Sequence, residues 1–391
     1  MPISTAPEAG KRKTLIFHIG DRKTGSTSIQ YALAQKRVTV EGCDLYYGRP
    51  LNHNYLSPHF RALASGRPKA RKTAEARFAK LADNIKKSSA RFAIVSAEEF
   101  ESIPASQLKT VIDSFFSDCA DEIRIIGYVR PHAQRILSSF AEQIKLGKFQ
   151  GDLDKYFTRS CVKNNRFFYH ERFQEWQSCF GDQFTLRPFV RSQLENGSVL
   201  DDFCKIAFAG HPFKAVAAPA QNSSFSLEDL LRVQVLQGQF TDLSKEKRFA
   251  LGWEFSRALA HVGSDTAATK VQLHKPLARK IARRFRADAK AMDTTFFGDA
   301  PVMEAELEQA LAQALDKKQS FTPEDHFSQT DLRSLAMMGH VIETLIQNPK
   351  GNWPQYLKQQ RINDLHPPQS DTSSAAAPSA IKAMSALLKR G

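Results

Sequence analysis

No stretch of this chain approaches the ~18–20 consecutive apolar residues of a membrane-spanning helix, so no such span is expected. Its five cysteines (Cys43, Cys119, Cys161, Cys179 and Cys204) are scattered, odd in number and without the paired spacing of a zinc site. That pattern argues against a disulfide framework and for a reducing compartment. The first apolar run is too short for a secretory signal and lacks a small-residue cleavage site. A cytoplasmic location, free or peripheral to the inner membrane, is therefore expected. No internal repeat and no nucleic-acid module can be read. Acid is also scarce: 55 Lys and Arg face 41 Asp and Glu, a net charge of +14. Such a balance favours an anionic partner, such as a phosphorylated cofactor, an acidic glycan or a lipid.

What is present is concentrated in T-L-I-F-H-I-G-D-R-K-T-G-S-T-S-I-Q, from Thr14 to Gln30. An apolar run, Leu15 to Ile19, ends in Gly20 and reads as a strand. A polar turn follows, then a segment in which Ile29 and Leu33 share the i,i+4 spacing of a helix. Strand, glycine-bracketed turn and helix together aim backbone N–H groups and a helix N-terminus at an anion. Four residues separate Gly20 from Gly25, as in the triphosphate loop G-x-x-x-x-G-K-[ST]. Here the residue after the second glycine is Ser26, and the loop's lysine is Lys23, ahead of Gly25. A kinase or ATPase needs the later lysine and a Ser/Thr–Mg²⁺ site beside it. The loop is built for another phosphate chemistry.

Along the chain, strands are expected at Leu15 to Ile19, Phe92 to Val95, Ile123 to Val129 and Phe184 to Leu186. Between them lie an irregular part (Glu41 to Ser57) and a basic helix, Lys69 to Lys87. Further helices carry Ile136, Leu137, Phe140 and Ile144, and then Phe173 and Trp176, the latter ending at Gly181. Strands alternating with helices predict an α/β fold with a central parallel β-sheet flanked by helices and ligands at the carboxyl ends of its strands. From Ser226 the reading is helical, with a boundary near Gly298 and Pro301. The expected division is a short disordered start (1–12), a main domain (13–300), a helical extension (301–366) and a flexible tail (367–391).

A second motif closes the third strand: Y-V-R-P-H-A-Q-R-I-L-S-S-F-A-E-Q-I-K, Tyr128 to Lys145. Arg130 sits where the strand stops. Arg135 and Ser138, three apart, share one face of the following helix near its start. An arginine with a serine hydroxyl is a receptor for a second phosphate, and a strand cap beside a surface serine is the bland alternative.

Taken together, the two motifs resemble the sulfotransferases that use 3′-phosphoadenosine 5′-phosphosulfate (PAPS), particularly bacterial members with a K-T-G-[ST]-T-S-[IL]-Q loop. The resemblance runs over residues 13 to 300 and includes W-x-x-x-F-G at Trp176 and R-P-F at Arg187. It implies a P-loop-like sulfotransferase fold in which Lys23, Thr24, Gly25, Ser26, Thr27 and Ser28 hold the 5′-phosphosulfate. Arg130, Arg135 and Ser138 would hold the 3′-phosphate, with adenosine 3′,5′-bisphosphate as product and no metal. Two departures are Pro131 directly after Arg130 and the acid Asp21 in the loop, expected to turn away from the phosphosulfate. The resemblance also implies a carboxylate or histidine base. Glu98 in V-S-A-E-E-F ranks first, with neighbouring Glu99 competing, and His59 in S-P-H-F ranks second. Lys23 would act on the leaving oxygen. The acceptor would be a glycan, lipid or small molecule. His18, Tyr169 and Trp176 read as core, and Ser226 as a helix cap. The rival readings are a P-loop small-molecule kinase and a non-catalytic nucleotide-binding scaffold.

Overall fold

The computed structural model describes residues 12–163, 165–217, 225–263, 268–298, 300–347 and 351–365. The expected tail (367–391) and nearly all of the expected disordered start lie outside the described residues.

The described residues include seven strands: β1 (Thr14–His18), β2 (Val38–Val40), β3 (Leu45–Tyr46), β4 (Phe92–Ser96), β5 (Glu122–Val129), β6 (Phe184–Pro188) and β7 (Phe213–Ala215). Five form one sheet in the order β3-β4-β1-β5-β6, every pairing parallel. β2 and β7 make a separate antiparallel ribbon. The four expected strands are the long ones. The two- and three-residue strands β2, β3 and β7 carry no detectable alternation, and β3 lies inside the stretch read as irregular.

β1 and β4 are buried along their whole length, so both faces of the sheet are covered. Ile16, Ile94 and Tyr128 point to one face, against α1 (Ser26–Ala34). The opposite face takes Leu15, Phe17, Val95 and Ile125. Over it lie α2 (Ser57–Ala64), α3 (Pro68–Lys87), α4 (Ala105–Val111), α5 (His132–Lys145), α6 (Leu153–Tyr156) and α7 (His170–Phe180). α8 (Val199–Ala207) joins α1, with Leu200 and Phe203 in the smaller cluster.

The expected apolar stripe of α5 is in the larger core, as are Tyr169 and Trp176, each 1% exposed. Gly181 ends α7 at φ 52°, a conformation glycine adopts without cost. Then follow α9 (Leu227–Gln239), α10 (Lys245–Val262), α11 (Lys275–Phe296), α12 (Val302–Ala312), α13 (Gln329–Gln347) and α14 (Trp353–Leu365). Ser226 caps α9, its hydroxyl accepting the Asp229 N–H at 3.0 Å. The core continues past residue 300 through Met303 and Leu307 of α12. A small separate cluster (Phe240, Leu243, Leu251, Ile346) holds α9, α10 and α13 together. Among the described residues no helix is long and apolar enough to cross a membrane.

From β1 the chain moves to β3 and β4 on one side, then crosses to β5 and β6 on the other. The loops leaving β1 and β5 therefore diverge at a switch point, where parallel sheets open a crevice.

Candidate functional site

The loop after β1 occupies that crevice. Its start extends the pairing to β5: the Asp21 N–H donates to Tyr128 O at 3.0 Å, and the Tyr128 N–H to Gly20 O at 2.9 Å. Gly20 has φ 82°, and a Cβ there would lie 3.0 Å from the Glu98 Cα, so the loop can press on the segment after β4 only with glycine. Gly25, the N-cap of α1, has φ 78°. Lys23 between them has φ 67°, a left-handed conformation uncommon for a residue with a side chain. The Thr24 and Ser26 hydroxyls both donate to Asp21 O and are buried. What these two residues offer an anion is therefore backbone N–H. Among the described residues the N–H groups of Thr24, Gly25, Ser26 and Thr27 meet no backbone carbonyl, and α1 has no side-chain cap and no acid in its first turn. Four donors at a helix N-terminus are thus left open, with no acid in the first turn of the helix. Thr27 is half-buried and Ser28 exposed.

Beneath the loop lies a buried ion cluster. Asp21, 2% exposed, is paired with Arg172 Nη2 at 3.0 Å and Arg135 Nη1 at 3.4 Å. Arg135 also reaches Glu101 Oε1 at 2.9 Å and donates to the Arg22 carbonyl. Burial pushes the Asp21 carboxyl up, but Arg172 and Arg135 outweigh it and hold it below the usual range. Burial, then Asp21, raises Glu101. Asp21 does turn away from the anion donors, into two guanidinium groups. Arg135, expected as a phosphate receptor, is 3% exposed and spends its fork on loop and acids, because Asp21 and Glu101 would otherwise be buried charges. It braces the loop from below.

Arg130 is placed differently. Its Nη1 donates to Lys23 O at 3.0 Å, its guanidinium lies 5.5 Å from the Phe189 ring centroid, and its buried Nε has no hydrogen-bond partner among the described residues. Ser138 is half-buried on α5, three residues beyond Arg135 and four before Glu142.

Lys23 has two ends in different surroundings. Its carbonyl is held by Arg130, and its ammonium lies 3.2 Å from Glu142 Oε2. Glu142 is shared with Lys145, at 2.9 Å. Burial opposes the Glu142 charge, but Lys23 and Lys145 hold its carboxyl below the usual range. Burial lowers Lys145. Glu98 completes the group: burial raises its carboxyl, against the pull of Arg22 and Lys23. Two lysines therefore meet on Glu142 of α5, with Glu98, just after β4, in their field. Glu142 and Lys145 escaped the sequence reading, although 135, 138, 142 and 145 form a polar stripe at helical spacing beside the apolar one.

The other candidates are separated. Glu99 pairs with Arg22 at 3.8 Å on the exposed side, and its N–H donates to Asn54 Oδ1 at 3.2 Å. His59 sits on α2 against Phe78 of α3, its pKa lowered by burial and by Arg77. His18 is fully buried, Nδ1 2.8 Å from Ser96 Oγ, with burial lowering its pKa to about 3. A second histidine at the β4 end is His53, which accepts the Ser96 N–H at Nδ1 (3.1 Å) and whose pKa burial lowers to about 4. No motif pointed to it. Among the described residues no group of three or more His, Cys, Asp and Glu could hold a metal.

The fold and loop define an α/β protein with a phosphate-loop-like turn after its first strand. No family model matches the sequence, and no curated protein does. Among solved structures the chain is distantly similar to a sulfotransferase from Alicyclobacillus acidocaldarius, at 10% identity and a TM-score of 0.37, over 72% of this chain and 95% of that one.

Proposed function

We propose that the protein is a sulfotransferase that moves a sulfuryl group from PAPS to a hydroxyl or amine of an acceptor, a cell-surface carbohydrate or glycolipid. The observation carrying this reading is Lys23, held in left-handed backbone between two positive-φ glycines, its ammonium within the Glu98–Glu142–Lys145 group and its neighbours' N–H groups unmatched. A kinase loop places its lysine after the second glycine; here that place is Ser26, whose hydroxyl is turned inward. The unmatched N–H groups and the unpartnered Arg130 Nε fit a ligand with separate anionic groups.

Bound there, PAPS supplies the sulfuryl group and a phosphate leaving group. The N–H groups of Thr24 to Thr27 would hold the 5′-phosphate, and Arg130 with Ser138 the 3′-phosphate. Lys23 would neutralise charge growing on the oxygen where the S–O bond breaks. Glu98 would take the acceptor's proton as the new S–O bond forms. Its raised pKa suits a base working nearer neutrality than an ordinary carboxylate.

Two outcomes follow. Because the carboxylate form of Glu98 is complete only above its raised pKa, transfer should climb with pH beyond the ordinary glutamate value of about 4.3. Glu98→Gln should lower kcat by about 10²–10⁴-fold and abolish that limb; an unchanged pH profile would move the base elsewhere. Arg130→Ala should weaken adenosine 3′,5′-bisphosphate by roughly 10–100-fold in calorimetric titration, the worth of a charge-assisted contact of about 1.5–3 kcal/mol. Unchanged affinity would remove Arg130 from the 3′-phosphate site. The whole reading is tested by titrating the bisphosphate against ATP and following transfer of labelled sulfate. ATP-dependent phosphorylation without bisphosphate binding would favour the kinase, and binding without any transfer would favour a scaffold.

A further inference from the structure

α10 crosses the C-terminal end of α5 so closely that a Cβ on Gly252 would lie 2.2 Å from the Lys145 carbonyl oxygen. Gln237 of α9, 2% exposed, fastens the crossing: its Nε2 donates to Lys145 O at 3.1 Å and Arg248 O at 3.2 Å. The result is a pair of rings over a pair of lysines. The Lys145 ammonium lies 4.1 Å from the Trp253 ring centroid, and that of Lys148 lies 4.8 Å from Phe249. The two rings, one helical turn apart, meet edge to face at 6.3 Å. Through Lys145 and Glu142 this face reaches the ammonium end of Lys23.

Two features of the face are unspent. Phe249 is 37% exposed, a large apolar surface left in solvent. Lys148, exposed and 4.8 Å from the Phe249 centroid, makes no ion pair among the described residues. Burial and the Arg22 charge lower the Lys148 pKa, although Glu142 pulls the other way. An exposed ammonium without a carboxylate partner is left to take an anion from solvent.

We propose that Phe249 and Lys148 form the acceptor subsite, and that it takes a saccharide bearing an anionic group, a carboxylate or a phosphate. An exposed aromatic ring covers the apolar C–H face of a sugar, and the Lys148 ammonium neutralises its charged substituent. The inference rests on the sulfuryl-transfer reading, because only then does an acceptor have to approach the ammonium end of Lys23, while Arg130 holds the carbonyl end.

The test is calorimetric titration of the full-length protein, with the loop saturated by adenosine 3′,5′-bisphosphate. The probes are a glucuronate-bearing oligosaccharide, a phosphate-bearing counterpart and a neutral one of the same length. At least one anionic probe should bind tenfold or more tightly than the neutral one. Phe249→Ala and Lys148→Met, both at exposed positions, should each weaken it tenfold or more and leave bisphosphate affinity unchanged. Equal binding of all three probes, no binding of either anionic probe, or indifference to both substitutions overturns the subsite. A separate titration in which the unsubstituted protein fails to bind the bisphosphate would overturn the cofactor reading instead.

Discussion

Lys23→Gly should lower kcat for sulfate transfer by about 10²–10³-fold, the usual cost of removing one group that stabilises a developing oxyanion. Glycine is the informative replacement because of φ 67°. A left-handed residue with a Cβ carries about 1–2 kcal/mol of strain, and glycine removes it while adding about 0.5–1 kcal/mol of chain entropy to the unfolded state. The two nearly cancel, so the midpoint of urea unfolding should stay near that of the parent protein. Bisphosphate affinity should change by no more than severalfold, since backbone N–H groups do the holding. Lys23→Val, by contrast, places a β-branched side chain at positive φ and should lose both activity and stability. Wild-type turnover in Lys23→Gly would end the assignment of Lys23 to the chemistry.

The largest stability effect is expected at Arg135. Arg135→Met leaves Asp21 and Glu101 buried, with side chains 1% and 6% exposed, Asp21 with Arg172 alone and Glu101 with only the longer ion-pair contact to Arg22 at 3.8 Å. Removing one partner of a buried ion cluster costs about 3–5 kcal/mol, a large part of the roughly 5–15 kcal/mol that holds a typical domain folded. Activity should fall with it, because the same guanidinium supports the Arg22 carbonyl beside Lys23.

The sign of the pH dependence separates this from lost packing. In the parent protein the Asp21 pKa is depressed, so its stabilisation is present above the unfolded value of about 3.9 and is lost as pH falls through the folded value. Without Arg135 both acids prefer the neutral form, so their folded pKa values rise. The penalty is then relieved by protonation at low pH and grows as pH rises through the raised values. Urea titrations should therefore show the Arg135→Met deficit larger at pH 7 than near pH 4. A deficit independent of pH would mean that the arginine acts by packing alone.

How much of this could be read from the chain varies with the range of the interactions. Gly20, Lys23, Gly25 and the start of α1 are neighbours in sequence, and local backbone geometry decides their arrangement. The long strands and α5 announce themselves by periodicity. Arg135 was the informative miss. Its motif spacing suggested an exposed receptor, yet Asp21 and Glu101, 114 and 34 residues away, claim it once the sheet brings them together. Asp21 in the loop was the available signal, since a buried acid demands a cation.

The sequence by itself determined the parallel α/β architecture, the glycine-bracketed loop with its displaced lysine, and the basic balance that points to anionic ligands. All of these rest on interactions within a few residues or on composition. Only the tertiary structure decided which charges meet. Lys23 finds Glu142, Lys145 finds the face of Trp253, and Glu98 is raised by its burial among them. Electrostatic pairing depends on distance and burial in space, and those follow from strand order and helix crossing, such as the approach Gly252 permits.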